Sequence, residues 1–137
     1  MKYLLDTNVL SEIRKPRGEK KVKDFVNTLG EENIFISVVS IGEIAWGIEK
    51  LPLGQKKTEL LVWLGQKLPE FFGNRIIPLD TEIMTQWGIL QGFVKQTLPV
   101  LDSLIAATAL TRGLTVVTRN TRDFKNVTGL KLLNPWL

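Results

Sequence analysis

Four acidic side chains stand out as groups that could do chemistry together: Asp6, Glu43, Asp102 and Asp123. Carboxylates that meet in one place repel and raise one another's pKa unless a divalent cation neutralises them. The chain contains no His and no Cys, so a metal site would have to be built from oxygen ligands. Such ligands favour Mg²⁺ or Mn²⁺ over zinc.

The absence of His and Cys also excludes several classes of enzyme. No Ser-His or Cys-His triad, no His-ligated zinc and no disulfide can form. The glycine patterns of P-loop and dinucleotide-binding proteins are missing as well. Any hydrolytic chemistry must therefore use carboxylates, hydroxyls, Lys and bound metal.

Three of the four acids also have an ordinary structural explanation. Ser40 and Glu43 fit the S-x-x-E capping box at the start of a helix. Asp102 would suit a helix N-terminus through the helix dipole, and Asp123 would suit a turn or a cap. The residues around Asp102 are almost wholly apolar, however, and a buried unpaired carboxylate is costly. This position therefore favours a nearby cation.

The charge balance points to an anionic partner. The chain carries 18 basic and 14 acidic side chains, a formal net charge of +4. Setting the four acids aside leaves 18 basic and 10 acidic side chains, or +8, so a basic body would surround an acidic site. An enzyme acting on nucleic acid needs this distribution, although a merely basic domain remains the simpler alternative.

Apolar runs and helical patterns alternate along the chain. They predict strands near residues 2–5, 33–39, 75–80, 114–118 and 131–133, with helices between them. Pro78 should place the third strand at an edge, and Trp46 and Ile48 are assigned to the core. The helix that starts at Lys56 should run to Leu68 and be ended by Pro69 and Gly73.

This alternation predicts one domain, residues 1–137, of the α/β class. We expect a three-layer α/β/α sandwich with a mainly parallel central sheet of four to five strands. Asp6 and Asp123 follow strands, whereas Glu43 and Asp102 begin helices, so all four can face the carboxyl end of the sheet. Ligands gather at that edge in open α/β sheets.

The first apolar run is interrupted at Asp6, so we expect no signal peptide. No apolar run approaches the roughly 18 residues that a membrane helix needs. Together with the absence of Cys, these features predict a cytoplasmic protein.

The four acids lie in motifs that resemble the PIN-domain family, and most closely its VapC-type toxins of type II toxin–antitoxin systems. The motifs are Leu4-Leu5-Asp6-Thr7-Asn8, Ser40-x-x-Glu43, Leu98-Pro99-x-x-Asp102-x-Leu104-Ile105-Ala106-Ala107, and Thr118-Arg119-Asn120-x-x-Asp123-Phe124. The resemblance extends over the whole chain, although residues 50–80 carry no motif.

The resemblance implies a Mg²⁺-dependent endoribonuclease, with Mn²⁺ as a substitute. By analogy, the four acids would hold one or two metal ions that activate water for attack on an RNA phosphodiester. It also suggests roles for residues near these acids. Thr7, Asn8, Thr118 and Asn120 would orient the carboxylates or bind phosphate, and Arg119 and Arg122 would grip the RNA.

The same resemblance implies partners. The substrate would be RNA, with transfer RNA or ribosomal RNA favoured, and the protein would form a homodimer. A VapB-type antitoxin would neutralise it, with the helix around Trp46 forming part of the antitoxin groove. Contact with promoter DNA would occur only through the antitoxin, and no membrane would be involved.

Three alternatives remain open at this stage. A haloacid-dehalogenase-type phosphatase also begins with a strand, Asp and Mg²⁺, but Asn8 stands where its second Asp is required. A receiver domain needs a late Lys, for which Arg119 is the only substitute. A catalytically silent RNA-binding or protein-binding module is the non-enzymatic alternative.

Overall fold

The computed structural model of this chain describes residues 1–94 and 98–137. Five strands form one sheet in the order β3-β2-β1-β4-β5, and every neighbouring pair is parallel. The strands are β1 (Tyr3–Leu5), β2 (Ile34–Ser37), β3 (Ile76–Ile77), β4 (Thr115–Val117) and β5 (Leu132–Leu133). The predicted α/β class and parallel sheet are confirmed.

Helices connect the strands, because parallel neighbours can be joined only by crossovers. They are α1 (Thr7–Arg14), α2 (Lys20–Leu29), α3 (Val38–Glu49), α4 (Gln55–Val62), α5 (Leu68–Phe72), α6 (Thr81–Phe93), α7 (Val100–Arg112) and α8 (Thr121–Phe124). A π-helical segment, Trp63–Lys67, joins α4 to α5, and single 3-10 turns occupy Glu31–Asn33 and Gly73–Arg75. No helix in the described ranges is long and apolar enough to span a membrane.

The sheet separates two hydrophobic clusters. Successive strand residues point to opposite faces, so Leu4 packs in one cluster and Leu5 in the other. The first cluster contains Ile83 of α6 and Ile105 of α7, and the second contains Val9 of α1. These two layers of helices on one sheet are the predicted three-layer sandwich.

Two local predictions in the middle of the chain have different outcomes. The strand that precedes Pro78 is confirmed as an edge strand, although it is shorter than predicted. The helix predicted to run to Leu68 instead continues to Phe72, and Gly73, one of the two residues predicted to end it, is its C-cap. Proline is tolerated there because its position falls in the first turn of α5, directly after the wider π turns.

Two predictions about α3 are wrong. The helix begins at Val38, directly after β2, and Ser37 caps it by accepting a hydrogen bond from the Val39 amide at 3.0 Å. Ser40 is therefore inside the helix, and the capping box with Glu43 does not form. Trp46 is 62% exposed rather than part of the core, because it lies on the face of α3 directed away from the sheet.

Candidate active site

Asp6 lies at the carboxyl end of the central strand β1, and its position follows directly from the local sequence. Its backbone amide donates to the Val117 carbonyl and so extends the pairing of β1 with β4. Its side chain then caps α1 by accepting a hydrogen bond from the Thr7 amide at 2.9 Å. The carboxylate is thus fixed between the end of a strand and the start of a helix, and only 5% of the residue is exposed.

Thr118, just after β4, provides a second donor to Asp6. Its hydroxyl donates to Asp6 Oδ2 at 2.8 Å and accepts from the Asn120 amide at 3.0 Å. Asn8 Nδ2 lies 3.4 Å from both Asp6 Oδ2 and the Thr118 hydroxyl. Burial raises the pKa of Asp6, whereas the hydrogen bonds from Thr118, Thr7 and Asn8 oppose that rise.

Glu43 projects from the second turn of α3 and contacts the start of α1. Thr7 Oγ1 donates to Glu43 Oε1 at 2.7 Å, and Ser40 Oγ lies 2.8 Å from the same Thr7 oxygen. Because Thr7 has one hydroxyl hydrogen and ionised Glu43 can only accept, Ser40 must donate to Thr7. Partial burial raises the pKa of Glu43, the Thr7 hydrogen bond lowers it, and the charge of Asp6 raises it.

Asp102 lies in the first turn of α7, as predicted, and is partly buried. Within residues 1–94 and 98–137, its carboxylate takes part in no hydrogen bond or ion pair. Burial, together with the negative charges of Asp6, Asp123 and Glu43, raises its pKa to about 6. The three other candidate acids are therefore all close enough to act on it electrostatically.

Asp123 lies in the short helix α8 and is exposed. Its charge contributes to the raised pKa of both Asp6 and Asp102. The fold thus brings the four predicted acids to one edge of the sheet from four separate elements. In the described part of the chain, no three acidic side chains are oriented closely enough to hold a single metal ion.

The remaining predicted residues divide into two groups. Thr7, Asn8 and Thr118 contact the carboxylates, and the Asn120 amide supports Thr118. Arg119 is exposed with its guanidinium 5.2 Å from the centre of the Trp136 ring, while Arg122 is exposed on α8. Neither arginine contacts the four acids in the described ranges.

Sequence reasoning missed the role of Ser40. It is fully buried and supports Thr7, which in turn orients Glu43. The signal was present in the short spacing Ser40-x-x-Glu43, which puts both side chains on one face of a helix. The same spacing also fits a capping box, which does not form because Ser37 caps the helix.

Comparisons with known proteins agree with this arrangement. Residues 3–130 match the PIN domain. The chain is 32% identical to Toxin FitB of Neisseria gonorrhoeae over 136 residues, covering 97% of each protein. It is also 32% identical to VapC ribonuclease Y4jK of Sinorhizobium fredii (97% of this chain, 96% of that protein) and to the tRNA(fMet)-specific endonuclease VapC of Shigella flexneri (96% of each).

Solved structures share the fold. FitAcB from Neisseria gonorrhoeae superposes with a TM-score of 0.90 at 32% identity, covering 98% of each chain. VapBC2 from Rickettsia felis, bound to a DNA fragment from its promoter, gives a TM-score of 0.77 at 26% identity, also over 98% of each chain. The haloacid-dehalogenase and receiver alternatives are therefore excluded, and the chain belongs to the PIN-domain family, among the VapC-type toxins of toxin–antitoxin systems.

Proposed function

We propose that this protein is a metal-dependent endoribonuclease that acts as the toxin of a type II toxin–antitoxin pair. The observation that carries the proposal is the meeting of Asp6, Glu43, Asp102 and Asp123 at the carboxyl edge of the sheet. Asp102 carries the combined effect of the other three charges. Four interacting carboxylates at one edge of the sheet repel one another, and a bound cation would remove that repulsion.

The donor set fits Mg²⁺, with Mn²⁺ as a substitute. All four proposed ligands are carboxylates, and the whole sequence offers no His or Cys to favour zinc. When bound, the metal would stabilise charge on the phosphoryl oxygens and lower the pKa of water. No three carboxylates of the described residues are grouped around one point, but Mg²⁺ commonly binds through one or two carboxylates and keeps several waters, so the donor set still fits this ion.

The other residues of the site would position these ligands. Thr118 and Asn8 hold the Asp6 carboxylate, while Thr7, supported by Ser40, holds Glu43. Since the chain has no His, one of the carboxylates would also serve as general base. We further propose that Arg119 and Arg122 contact the RNA backbone near Asp123, because both are exposed cations close to that acid in the chain.

The names of the relatives support RNA as substrate. Two of them are called ribonuclease or tRNA(fMet)-specific endonuclease, so transfer RNA is the first substrate to test and ribosomal RNA the second. The neighbouring VapBC2 structure holds promoter DNA. By analogy, this chain would bind a VapB-type antitoxin, form a homodimer and reach promoter DNA only through the antitoxin, acting in the cytoplasm.

The decisive experiment is cleavage of total cellular RNA by the purified, antitoxin-free protein. Reactions would contain Mg²⁺, Mn²⁺ or EDTA, with Asp102→Asn as the control. We expect discrete metal-dependent fragments that disappear with the substitution. Intact RNA in the presence of folded, metal-loaded protein would leave the catalytically silent binding module as the better explanation.

Metal binding can be tested without relying on activity. Titration of the purified protein with Mn²⁺ in a calorimeter should give saturable binding that weakens at least about tenfold in Asp102→Asn. Equal binding by both proteins would show that Asp102 is not a ligand.

A further inference from the structure

The segment after β5, residues 134–137, lies beside the candidate site, although none of its residues is a proposed metal ligand. Because β5 runs parallel to β4, this segment begins at the same edge of the sheet as the four acids. Pro135 is buried, and Trp136 packs against the hydrophobic cluster that contains Val9 of α1. The segment is therefore held against the domain at the edge where the acids meet.

Hydrogen bonds connect this segment to Arg119 and, through it, to the acids. Asn134 Nδ2 donates to the Arg119 carbonyl at 3.3 Å, and Asn134 Oδ1 accepts from the Trp136 amide at 2.9 Å. The Arg119 amide donates to Asn8 Oδ1 at 3.2 Å, and Asn8 Nδ2 lies 3.4 Å from Asp6 Oδ2. One side chain, that of Asn8, thus links the backbone of Arg119 to the Asp6 carboxylate.

The side chain of Arg119 is held as well. Its guanidinium lies over the Trp136 ring, 5.2 Å from the centre, and an aromatic face attracts a cation in this position. Arg119 remains exposed, so its N–H groups can still bind a phosphate. Arg122 is exposed too, but within residues 1–94 and 98–137 its side chain makes no hydrogen bond, ion pair or ring contact. The two arginines carry the same charge, but a neighbouring ring restrains the first and not the second.

A restrained guanidinium is well suited to phosphate. Its planar N–H groups can bind two phosphate oxygens at once, and a side chain that is already restrained loses less freedom on binding. The charge of Arg119 is also available, since it forms no ion pair with an acid in the described ranges. RNA that reaches the site passes close to several carboxylates, which repel its phosphates unless a cation lies nearby.

We infer that Asn134 and Trp136 are positioning residues of the nuclease site, which hold Arg119 against a phosphate flanking the one that is cut. Arg119 contacts the RNA, and Asn134 and Trp136 act through it. This inference rests on the proposed ribonuclease function and deepens it, because it distinguishes Arg119 from Arg122 and adds the segment after β5 to the site. The competing explanation is that Trp136 only anchors this segment on the hydrophobic cluster.

Arg119→Ala and Arg122→Ala form a matched pair, because each removes one exposed positive charge from the same short stretch of chain. The substrate is a single-stranded RNA pool of random sequence, cleaved with Mg²⁺. Arg119→Ala should raise KM about tenfold, the size of a hydrogen-bonded contact to a charged group, with kcat changed less than about twofold. Arg122→Ala should raise KM less than about threefold, because an unrestrained surface cation contributes less. Equal KM in the two variants would overturn the inference.

A double-mutant cycle with Arg119 tests the role of Trp136. Trp136→Leu should raise KM about threefold, the size of a cation–π contact, and Trp136→Phe should restore most of that loss because it provides an aromatic face. In an Arg119→Ala background, Trp136→Leu should raise KM no further, since Trp136 acts through Arg119. The same increase in both backgrounds would mean that Trp136 is only an anchor, and it would overturn the inference.

Folding of each variant is checked by circular dichroism. If Trp136→Leu does not fold, Asn134→Ala takes its place in the cycle, because it removes both hydrogen bonds of Asn134 and leaves the Trp136 ring intact. The outcomes are judged in the same way: a rise in KM that disappears in the Arg119→Ala background supports the inference. A rise that is equal in both backgrounds, or no rise at all, overturns it.

RNA binding without cleavage separates this inference from the proposed function. Fluorescence anisotropy with the same RNA pool in EDTA gives Kd at several salt concentrations. The slope of log Kd against log salt concentration should fall by about 0.7 in Arg119→Ala, the value for one phosphate contact of a single strand, and by less than half of that in Arg122→Ala. If wild type cleaves no RNA, the proposed function fails and this measurement alone decides the inference. No binding by wild type, or equal slopes in both variants, would overturn it.

Discussion

Asp6 and Asp102 have the same side chain and belong to the same cluster, but the fold treats them differently. Asp6 is almost fully buried and accepts hydrogen bonds from Thr7, Thr118 and Asn8. Asp102 is partly buried, and no hydrogen bond involving its carboxylate is found in the described ranges. The pKa is raised in both, because burial and neighbouring negative charges disfavour ionisation.

The two aspartates therefore contribute differently to the stability of the fold. Asp6 is integrated into the fold: it caps α1 and connects β1 to the residues that follow β4. Asp102 contributes charge without hydrogen-bond compensation, so in the metal-free chain it opposes folding at neutral pH. We therefore expect substitutions at the two positions to affect activity alike and stability differently.

The largest expected effect is on activity. Asp6→Asn and Asp102→Asn should each lower RNA cleavage by at least about 100-fold, because each would remove a proposed metal ligand. The measurement is the initial rate of cleavage with Mg²⁺, and circular dichroism would confirm folding. If either variant folds and cleaves RNA at the wild-type rate, the substituted residue is not required for catalysis.

A smaller effect is expected from loss of the hydrogen bond that Thr118 donates to Asp6. Thr118→Val keeps the shape of a fully buried side chain but removes the donor to Asp6 Oδ2. We expect a loss of about 1–3 kcal/mol in the free energy of unfolding and about a 10-fold lower cleavage rate. Chemical denaturation and rate measurements check the two effects.

Thr108→Val is a matched control for Thr118→Val. Thr108 is also fully buried, but its hydroxyl donates to the Leu104 carbonyl within its own helix. Thr108→Val should lower the free energy of unfolding less than Thr118→Val does, and it should leave the cleavage rate unchanged. If both variants lose cleavage equally, the hydrogen bond to Asp6 has no special role.

A smaller effect should appear in the pH dependence of stability. The pKa of Asp102 is about 6 in the folded chain and 3.8 in the reference state, so the unfolded chain releases its proton first as pH rises. Metal-free protein should therefore lose stability between about pH 4 and pH 6. Because Asp102 is only partly buried and solvent screens its charge, we expect the free energy of unfolding to be about 1–2 kcal/mol lower above pH 6 than below pH 4.

Asp102→Asn removes that cost. In EDTA, its Tm should exceed that of wild type by roughly 3–8 °C at pH 7.5, and the difference should vanish at pH 4. Differential scanning calorimetry at several pH values provides the measurement. A Tm difference that stays constant with pH would mean that the ionisation of Asp102 is not its cause.

The smallest effects are expected at Thr7 and Ser40. Thr7→Val removes the donor to Glu43, which is only partly buried and can be solvated instead. We expect cleavage to fall about threefold to tenfold, below the effect of Thr118→Val. Ser40→Ala should act in the same direction but more weakly, because Ser40 reaches Glu43 only through Thr7. A larger loss in Ser40→Ala would contradict this order.

The sequence predicted the architecture and the edge of the sheet where the four acids meet. Alternating apolar runs and helical periodicity determine such features, because they reflect which side chains must be buried. Local signals were less reliable at α3. The S-x-x-E pattern of Ser40 and Glu43 predicted a cap, but β2 passes directly into the helix and Ser37 takes that role.

The chain by itself determined the α/β order, and it predicted the four candidate acids and an oxygen-only set of donors. These properties depend on residue types and their spacing, which are read directly along the chain. Tertiary structure alone decided that Thr118 holds Asp6 across 112 positions of sequence, and that Asp102 has no such partner in the described chain. It also decided that the Arg14 guanidinium lies over the Trp63 ring. Contacts between residues so far apart depend on how the helices pack on the sheet, and no local pattern encodes that packing.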